Sequence, residues 1–182
     1  MNEHATGFGL ETKFARIDRE ASSGCELVGY ASFFGAPDQN GDVVERGAFA
    51  KSLSRLRADG RSVKFLWQHD PAQPIGVWEE VSEDERGLVM RGRLLTDVAK
   101  GAEAATLLAS GAVDGLSIGY RTVRAEKAGA GRRLIELDLW EVSLVTFPML
   151  PSARAAVATT DPDEEIARAL SDALSDARRA LA

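Results

Sequence analysis

Alternation between apolar and polar residues runs through most of the chain and indicates a mainly β protein. Runs rich in branched and aromatic side chains repeat with a period of two and are separated by turns containing Gly, Pro, Asn or Asp, which is typical of antiparallel strands joined by hairpins. Two stretches have helical spacing instead, from Gly47 to Gly60 and from Asp97 to Gly111. The pattern therefore predicts a sheet with helices packed against it. The predicted strands span residues 25–34, 62–70, 75–81, 87–95, 115–124 and 132–147, with a weaker candidate at 13–18.

The 182 residues are enough for one domain with a hydrophobic core and too few for two ordinary domains. Residues 1–10 are small and polar, so we expect them to be disordered. Residues 11–158 carry the strand pattern and form the predicted domain. Residues 159–182 have an acidic start followed by an Ala-rich run with an apolar stripe, which predicts a separable C-terminal helix or tail.

Composition excludes several classes of partner. The formal net charge is −6 and basic residues form no cluster, so the chain lacks the electrostatic surface that binds nucleic acid. No apolar run approaches membrane-spanning length, and the first residues do not resemble a secretory signal, so we expect a cytoplasmic protein. One Cys and two His cannot assemble a zinc site of the usual kind, and the acidic turn at 35–42 does not match a calcium loop. We expect neither a metal nor a cofactor.

The segment Gly115-Leu-Ser-Ile-Gly119 places a serine between two glycines inside a strand-like run. This G-x-S-x-G spacing also occurs in α/β-hydrolases, where the serine lies between a strand and a helix and the acid and histidine follow it along the chain. Here His4 and His69 both precede Ser117, and the residues after it alternate like a strand. The α/β-hydrolase interpretation therefore fails in order and in context.

Two further polar residues interrupt apolar rows. His69 ends a row of alternating apolar residues on its strand, and Glu141 lies within the apolar row of the last long strand. A buried carboxylate needs a hydrogen-bonding partner, and a serine nucleophile needs a base that is oriented by a third group. Ser117, His69 and Glu141 are therefore candidates for nucleophile, base and orienting acid. Strict alternation places on one face of the last strand Ile135, Leu137, Leu139, Glu141, Ser143, Val145 and Phe147.

Structural interpretations of these residues remain open. His69 alone on an apolar strand is more often a hydrogen-bonded core residue, and a serine between glycines more often marks close packing of strands. Glu141 could instead pair with Arg121 or Arg133 and take no part in chemistry.

Other chemistries are weaker alternatives. Ser143 shares the face of Glu141 and is a rival nucleophile, although no glycines open the backbone around it. A pair of Cys25 with His69 has less support, because Cys25 lies at the entrance of a strand. A two-carboxylate glycosidase site is disfavoured because alternation puts Asp138 and Glu141 on opposite faces.

Several motifs together resemble the prohead maturation proteases of HK97-type tailed phages, from Leu27 to Arg154. Each motif alone is weak, and their combination and order are specific. They are Gly29-Tyr-Ala-Ser-Phe-Phe, Asn40-Gly-Asp-Val-Val with Gly47-Ala-Phe, Leu66-Trp-Gln-His-Asp with Pro74-Ile-Gly, Gly115-Leu-Ser-Ile-Gly-Tyr, and Trp140-Glu-Val-Ser-Leu-Val-Thr-Phe-Pro.

The resemblance implies a fold and a site. This family is similar to the herpesvirus assembly proteases, whose fold is a closed, mostly antiparallel β-barrel flanked by helices and whose site uses a histidine, a serine and a second histidine in that order. The order His69, Ser117, Glu141 is compatible, with Glu141 in the place of the second histidine and Asp138 as the fallback. Oxyanion donors would be a backbone N–H near Ser117 or the side chain of Arg154.

The resemblance also implies a function. The chain would be a serine endopeptidase that cleaves the scaffolding segment from the major capsid protein inside the immature capsid, in the cytoplasm of a bacterial host. It would also cleave itself and form a homodimer or larger oligomer. The source would be a phage, a prophage or a phage-like particle such as a gene transfer agent. A catalytically silent assembly or scaffold protein with the same fold is the main alternative, and an unrelated esterase is the third.

Overall fold

The computed structural model describes residues 24–158. Predictions for the N-terminal ten residues, the weak strand at 13–18 and the C-terminal helix or tail fall outside that range. Among the described residues there are strands and helices in the order β1 (Gly24–Phe33), β2 (Val43–Val44), α1 (Ala50–Ala58), β3 (Lys64–Trp67), β4 (Asp70–Glu83), β5 (Gly87–Leu95), α2 (Ala99–Ala109), β6 (Gly115–Ala128), β7 (Gly131–Val145) and β8 (Ala155–Val157).

The strands form one sheet in which β7 has the most neighbours. β6 pairs antiparallel with one edge of β7 along almost its whole length. The other edge of β7 pairs in parallel with β2 near its start and with β3 near its end. From β3 the sheet continues through β4, β5 and β1 to β8. The predicted mainly β fold with few helices is confirmed.

The predicted closure into a barrel is wrong, because the sheet is open between β6 and β8. The two ends approach each other only at an isolated bridge between Gly115 and Arg154. Two backbone hydrogen bonds flank it, from Leu116 N to Ala153 O at 2.9 Å and from Ala155 N to Asp114 O at 2.8 Å. β8 has three residues and pairs with β1, so the ladder does not extend along β6.

Both predicted helices are present and pack their apolar residues on the core. Leu53 and Leu56 of α1 are buried, as is Leu108 of α2. The residue that caps the start of α2 is Val98, with an extended backbone, one position after Asp97, where the predicted helix begins. No helix in the part of the chain that the structure describes is long and apolar enough to cross a membrane.

β4 begins earlier than predicted and includes two prolines. The alternation indicated a strand from residue 75, whereas β4 starts at Asp70. The residues before Gly76 pair only with β3, and their register is irregular. Prolines are tolerated where a strand has a free edge or a bulge, which explains Pro71 and Pro74 in this segment.

Candidate active site

A β-bulge at Trp140 sets the direction of the candidate acid. Tyr120 of β6 pairs with Leu139 and the preceding Gly119 pairs with Glu141, so Trp140 has no partner on β6. The prediction that Leu139 and Glu141 share a face is therefore wrong: Leu139 and Val142 point into the core, and Glu141 points away from it.

The face that carries Glu141 also carries Ser143 and, on the neighbouring strand, Ser117. Ser117 and Ser143 are directly opposed in the β6–β7 ladder, and opposed residues of antiparallel strands project to the same side. Ser117 is 6% exposed and Ser143 is fully buried. The predicted strand around Ser117 is confirmed, and the strand places the serine two residues from the glycine that faces Glu141.

Alternation predicted that His69 lies on a strand, but in the structure it lies in a tight turn. β3 ends at Trp67, which pairs with Asp70, so Gln68 and His69 form a two-residue hairpin loop. Both have positive φ, 51° and 62°, as in the primed turns that favour Asn and Gly. Such backbone strain in residues other than Gly is often found at functional sites.

Contacts with β7 and with Thr146, the residue after it, hold this turn in place. Gln68 N donates to Leu144 O at 3.0 Å, and its side-chain amide donates to the Thr146 hydroxyl at 2.8 Å. His69 N donates to the Ser143 Oγ at 3.1 Å. The strained turn is therefore anchored to the strand that carries Glu141.

The imidazole of His69 contacts the carboxylate of Glu141. Nδ1 and Oε1 are 2.6 Å apart, a short separation of the kind that an ionised partner favours. This hydrogen bond raises the pKa of His69 above its ordinary value of 6.5, and the charge of Glu141 adds to the effect while burial opposes it. With the proton held on Nδ1, the lone pair lies on Nε2. The side chain of His69 is 43% exposed and that of Glu141 is 12% exposed.

The fallback acid has other partners. The carboxylate of Asp138 binds Arg55 of α1 and, at 3.1 Å, Arg121 of β6. Leu137 and Leu139 point into the core, so Asp138 is on the outward face together with Glu141, contrary to the prediction of opposite faces. Among the described contacts, the carboxylate that reaches His69 belongs to Glu141.

The other residues that the sequence offered as partners of Glu141 or His69 make different contacts in the structure. The alternative partners of Glu141 bind other acids: Arg121 pairs with Asp138, and Arg133 with Glu45. Cys25 lies on β1, opposite Leu94 of β5, and burial raises the pKa of its thiol. It is not among the described contacts of His69.

The acidic side chains of the turn after β1 have hydrogen-bonding partners within the protein. The Asp42 carboxylate accepts hydrogen bonds from the backbone N–H and the guanidinium of Arg132, including one of 2.5 Å from Nη2 to Oδ2. The Asp38 side chain accepts from the backbone N–H groups of Asn40 and Asp42. Between residues 24 and 158 no cluster of three or more His, Cys, Asp or Glu side chains could hold a metal ion.

A cavity of about 110 Å³ lies along β6 beside Ser117. It is open on one side, and its wall combines apolar side chains with polar groups from the acidic turn. Its lining includes Ala31, Val44, Leu116, Leu134, Asp38 and Asn40. The site thus adjoins a recess large enough for part of a side chain.

Comparison with known protein families identifies relatives along most of the chain. Residues 12–166 match the family model described as caudovirus prohead serine protease. The prohead protease of Enterobacteria phage HK97 is 32% identical over 143 residues, which are 76% of this chain. The chain spans 62% of the length of that relative.

Comparison with solved structures finds a similar fold. The capsid assembly protease of bacteriophage T4 superposes with a TM-score of 0.56 at 16% identity, over 69% of this chain and 84% of the T4 chain. The KSHV protease, crystallised with a hexapeptide phosphonate inhibitor, gives a TM-score of 0.47 at 12% identity, over 75% of this chain and 66% of its own. The superposition on the T4 protease indicates a shared fold.

Proposed function

The chain belongs to the caudovirus prohead serine protease family, and on that premise we propose that it is a serine endopeptidase with Ser117 as nucleophile, His69 as general base and Glu141 as the acid that orients His69. The observation that carries this proposal is the 2.6 Å contact between His69 Nδ1 and Glu141 Oε1, on the sheet face to which Ser117 belongs. A serine hydroxyl requires a base, and a histidine base requires a group that fixes its tautomer.

In the proposed reaction, the Ser117 Oγ attacks the carbonyl carbon of the scissile peptide bond and its proton passes to His69 Nε2. The resulting imidazolium is stabilised by the Glu141 carboxylate. When the tetrahedral intermediate collapses, the C–N bond breaks and the leaving amine takes the proton from Nε2. A water molecule then attacks the acyl-enzyme with His69 again acting as base, which releases the carboxylic acid and restores Ser117.

Glu141 has two effects in this scheme. Its hydrogen bond keeps the proton on Nδ1, so that Nε2 is available to accept the proton of the serine. Its negative charge favours the imidazolium that forms in the transition state, which is consistent with the raised pKa of His69. The base therefore becomes stronger, and more alkaline conditions are needed to keep it neutral before attack.

The proposed substrate is the scaffolding segment of the major capsid protein. The relative from phage HK97 is a prohead protease and the T4 neighbour is a capsid assembly protease, so the chemistry of this site would act within a capsid under assembly. We extend the proposal to cleavage of the chain itself and to self-association. The location would be the interior of the immature capsid in the bacterial cytoplasm.

Co-expression with the major capsid protein of the same phage or phage-like particle tests the proposal. Wild type, Ser117→Ala and the control Ser110→Ala, which replaces an exposed serine after α2, would be compared by intact mass of both proteins. We expect wild type and Ser110→Ala to remove a segment from the capsid protein and Ser117→Ala to leave it whole. Equal masses with wild type and Ser117→Ala would support a catalytically silent assembly protein instead.

A further inference from the structure

We propose that Ser143 is a positioning residue of this site, which uses its single hydroxyl to fix both the Glu141 carboxylate and the backbone of His69. The inference rests on the proposed function of Ser117, His69 and Glu141. Ser143 lies on β7, is fully buried and faces Ser117 across the β6–β7 ladder. The sequence had offered it only as a rival nucleophile.

The hydroxyl of Ser143 donates one hydrogen bond and accepts another. It donates to Glu141 Oε2 at 2.5 Å and accepts from His69 N at 3.1 Å. Glu141 uses its other oxygen, Oε1, for His69 Nδ1. The three hydrogen bonds form a closed ring through the hydroxyl, the carboxylate, the imidazole and the backbone of the same histidine.

This ring restricts the two motions that would disrupt the base. A carboxylate held through both oxygens cannot rotate freely about its terminal torsion, so Oε1 stays directed at Nδ1. The backbone of His69 has a φ of 62°, which is unfavourable for a residue with a side chain. An acceptor for its N–H helps to keep the turn in that conformation.

The same geometry argues against Ser143 as a nucleophile. Its only proton is donated to Glu141, and its side chain has no exposed surface that a substrate could reach. A buried hydroxyl with both partners satisfied normally has a structural role. We infer that Ser143 positions His69, the base of the reaction, and does not merely stabilise the fold.

The chain offers a matched control in Ser52. This serine of α1 is also buried, and its Oγ accepts from Leu139 N at 2.9 Å and approaches the Asp138 carboxylate at 3.5 Å. Ser52 and Ser143 therefore both bridge a backbone N–H and a carboxylate of β7. The difference is that Asp138 binds arginines, whereas Glu141 binds His69.

The rate of reaction with diisopropyl fluorophosphate measures the activation of Ser117 without knowledge of the natural substrate. In this reaction the bond from Ser117 Oγ to phosphorus forms, the P–F bond breaks, fluoride leaves and the serine proton passes to His69. We expect Ser143→Ala to lower the maximal rate of inactivation about tenfold with little change in the concentration for half-maximal rate. Ser52→Ala should lower the melting temperature but leave the maximal rate within about twofold.

A double variant shows whether Ser143 acts through Glu141. In a Glu141→Ala background the hydroxyl keeps only the His69 N–H as a partner, so adding Ser143→Ala should lower the rate by clearly less than the tenfold expected with Glu141 in place. A tenfold loss in both backgrounds would overturn the inference, as would equal rates for Ser143→Ala and Ser52→Ala.

NMR titration of His69 gives a readout that does not depend on activity. His4→Gln leaves His69 as the remaining histidine of the chain, so its imidazole signals are unambiguous. We expect the pKa of His69 to fall toward 6.5 in Ser143→Ala and to be unchanged in Ser52→Ala.

The two proposals can fail separately. If diisopropyl fluorophosphate does not modify Ser117 in the wild type, the proposal that Ser117 is the nucleophile is wrong, while the titration still decides whether Ser143 positions the His69–Glu141 pair. An unchanged titration in Ser143→Ala would overturn the inference.

Discussion

Gly119 lies directly opposite Glu141 across the β6–β7 ladder, and a Cβ at position 119 would be 1.9 Å from Glu141 Oε1. The carboxylate thus occupies the space that any side chain at position 119 would need. At the other end of the motif, a Cβ on Gly115 would be 2.6 Å from Val145 O and 2.7 Å from Cδ of Pro148. Both glycines around Ser117 are explained by close packing, and the motif has a different origin from the one in α/β-hydrolases.

Gly119→Ala should abolish the contact between His69 and Glu141 while the fold persists. The atoms that a new methyl group would meet belong to the Glu141 side chain. A side chain can rotate away from the methyl group, so the backbone need not shift. We expect at least a tenfold loss of capsid-protein cleavage, together with a fall in the pKa of His69 measured by NMR. Gly24→Ala is the control, because its Cβ would meet Leu94 O at 2.8 Å far from the site. Equal activity of the two variants would contradict the assignment of Glu141.

Glu141→Gln should change the pH dependence of cleavage. The base must be neutral, so kcat/KM rises with pH through the pKa of His69, which Glu141 holds above 6.5. Without the carboxylate this limb should move down toward 6.5, and the plateau should fall by about 10²- to 10⁴-fold. The profile would be measured on a peptide that spans the cleavage site.

Asp138→Asn separates the two candidate acids. Asp138 binds Arg55 and Arg121 and has no described contact with His69, so its replacement should lower the melting temperature and leave the pH limb in place. A shift of the limb in Asp138→Asn, with none in Glu141→Gln, would reverse the assignment.

The contact between His69 and Glu141 also makes folding stability depend on pH. Its stabilising effect is present below pH 6.5 and is lost as the pH rises through the raised pKa of His69.

The left-handed backbone of Gln68 predicts an unusual order of stability. Gln68→Ala and Gln68→Gly both remove the bonds to Thr146, so the difference between them isolates the backbone. Because φ is 51°, the Gly variant should be more stable by about 1 kcal/mol. The order should reverse for Lys64→Ala and Lys64→Gly in β3, where Gly weakens an ordinary strand. Urea denaturation of the four variants measures both differences.

The ion pair between the buried Asp42 and the half-exposed Arg132 predicts a loss of stability in acid. The hydrogen bond from Arg132 is the largest effect on the pKa of Asp42 and lowers it below 3.8, against the opposing effect of burial. A lowered pKa means that the stabilisation is complete above the unfolded value and is lost as the pH falls through the folded value. Asp42→Asn should therefore cost roughly 2 kcal/mol at pH 7 and much less at a pH low enough to protonate Asp42 in the wild type.

Thermal or urea unfolding at neutral and strongly acid pH would measure the effect of Asp42→Asn. Glu80→Gln serves as the control, because its pair with Arg91 is 4.0 Å long and exposed on both sides. That variant should be neutral at either pH. A constant difference between wild type and Asp42→Asn across the pH range would contradict the role given to the ionised carboxylate.

The elements with strong periodicity were predictable from sequence. Both helices and the strands that carry Ser117 and Glu141 were placed within a few residues of their observed bounds. Long runs of residues that keep a regular period leave few alternative assignments. β2 and β8 were missed, since two or three residues are too few to show a period. Their pairing depends on tertiary contacts with β7 and β1.

The geometry around His69 was not predictable from the alternation alone. Gln68 and His69 are not residues that favour a primed turn, so the strand pattern continued through them. Closer attention to β7 would have given a signal for the bulge, because Leu137, Leu139, Val142 and Leu144 are separated by two, three and two positions. A step of three within an alternating strand marks an inserted residue. The role of Gly119 follows only once the register is known.

The unpaired Trp140 has a consequence for which changes β7 can accept. The indole is 57% exposed, so many side chains would be compatible with position 140. Without Trp140 the pairs Leu139–Tyr120 and Glu141–Gly119 would be consecutive on both strands, so strict alternation would still direct Leu139 inward and Glu141 and Ser143 outward. At this point β7 should therefore accept a different residue, or one residue fewer, while the register with β6 keeps the acid on the outer face.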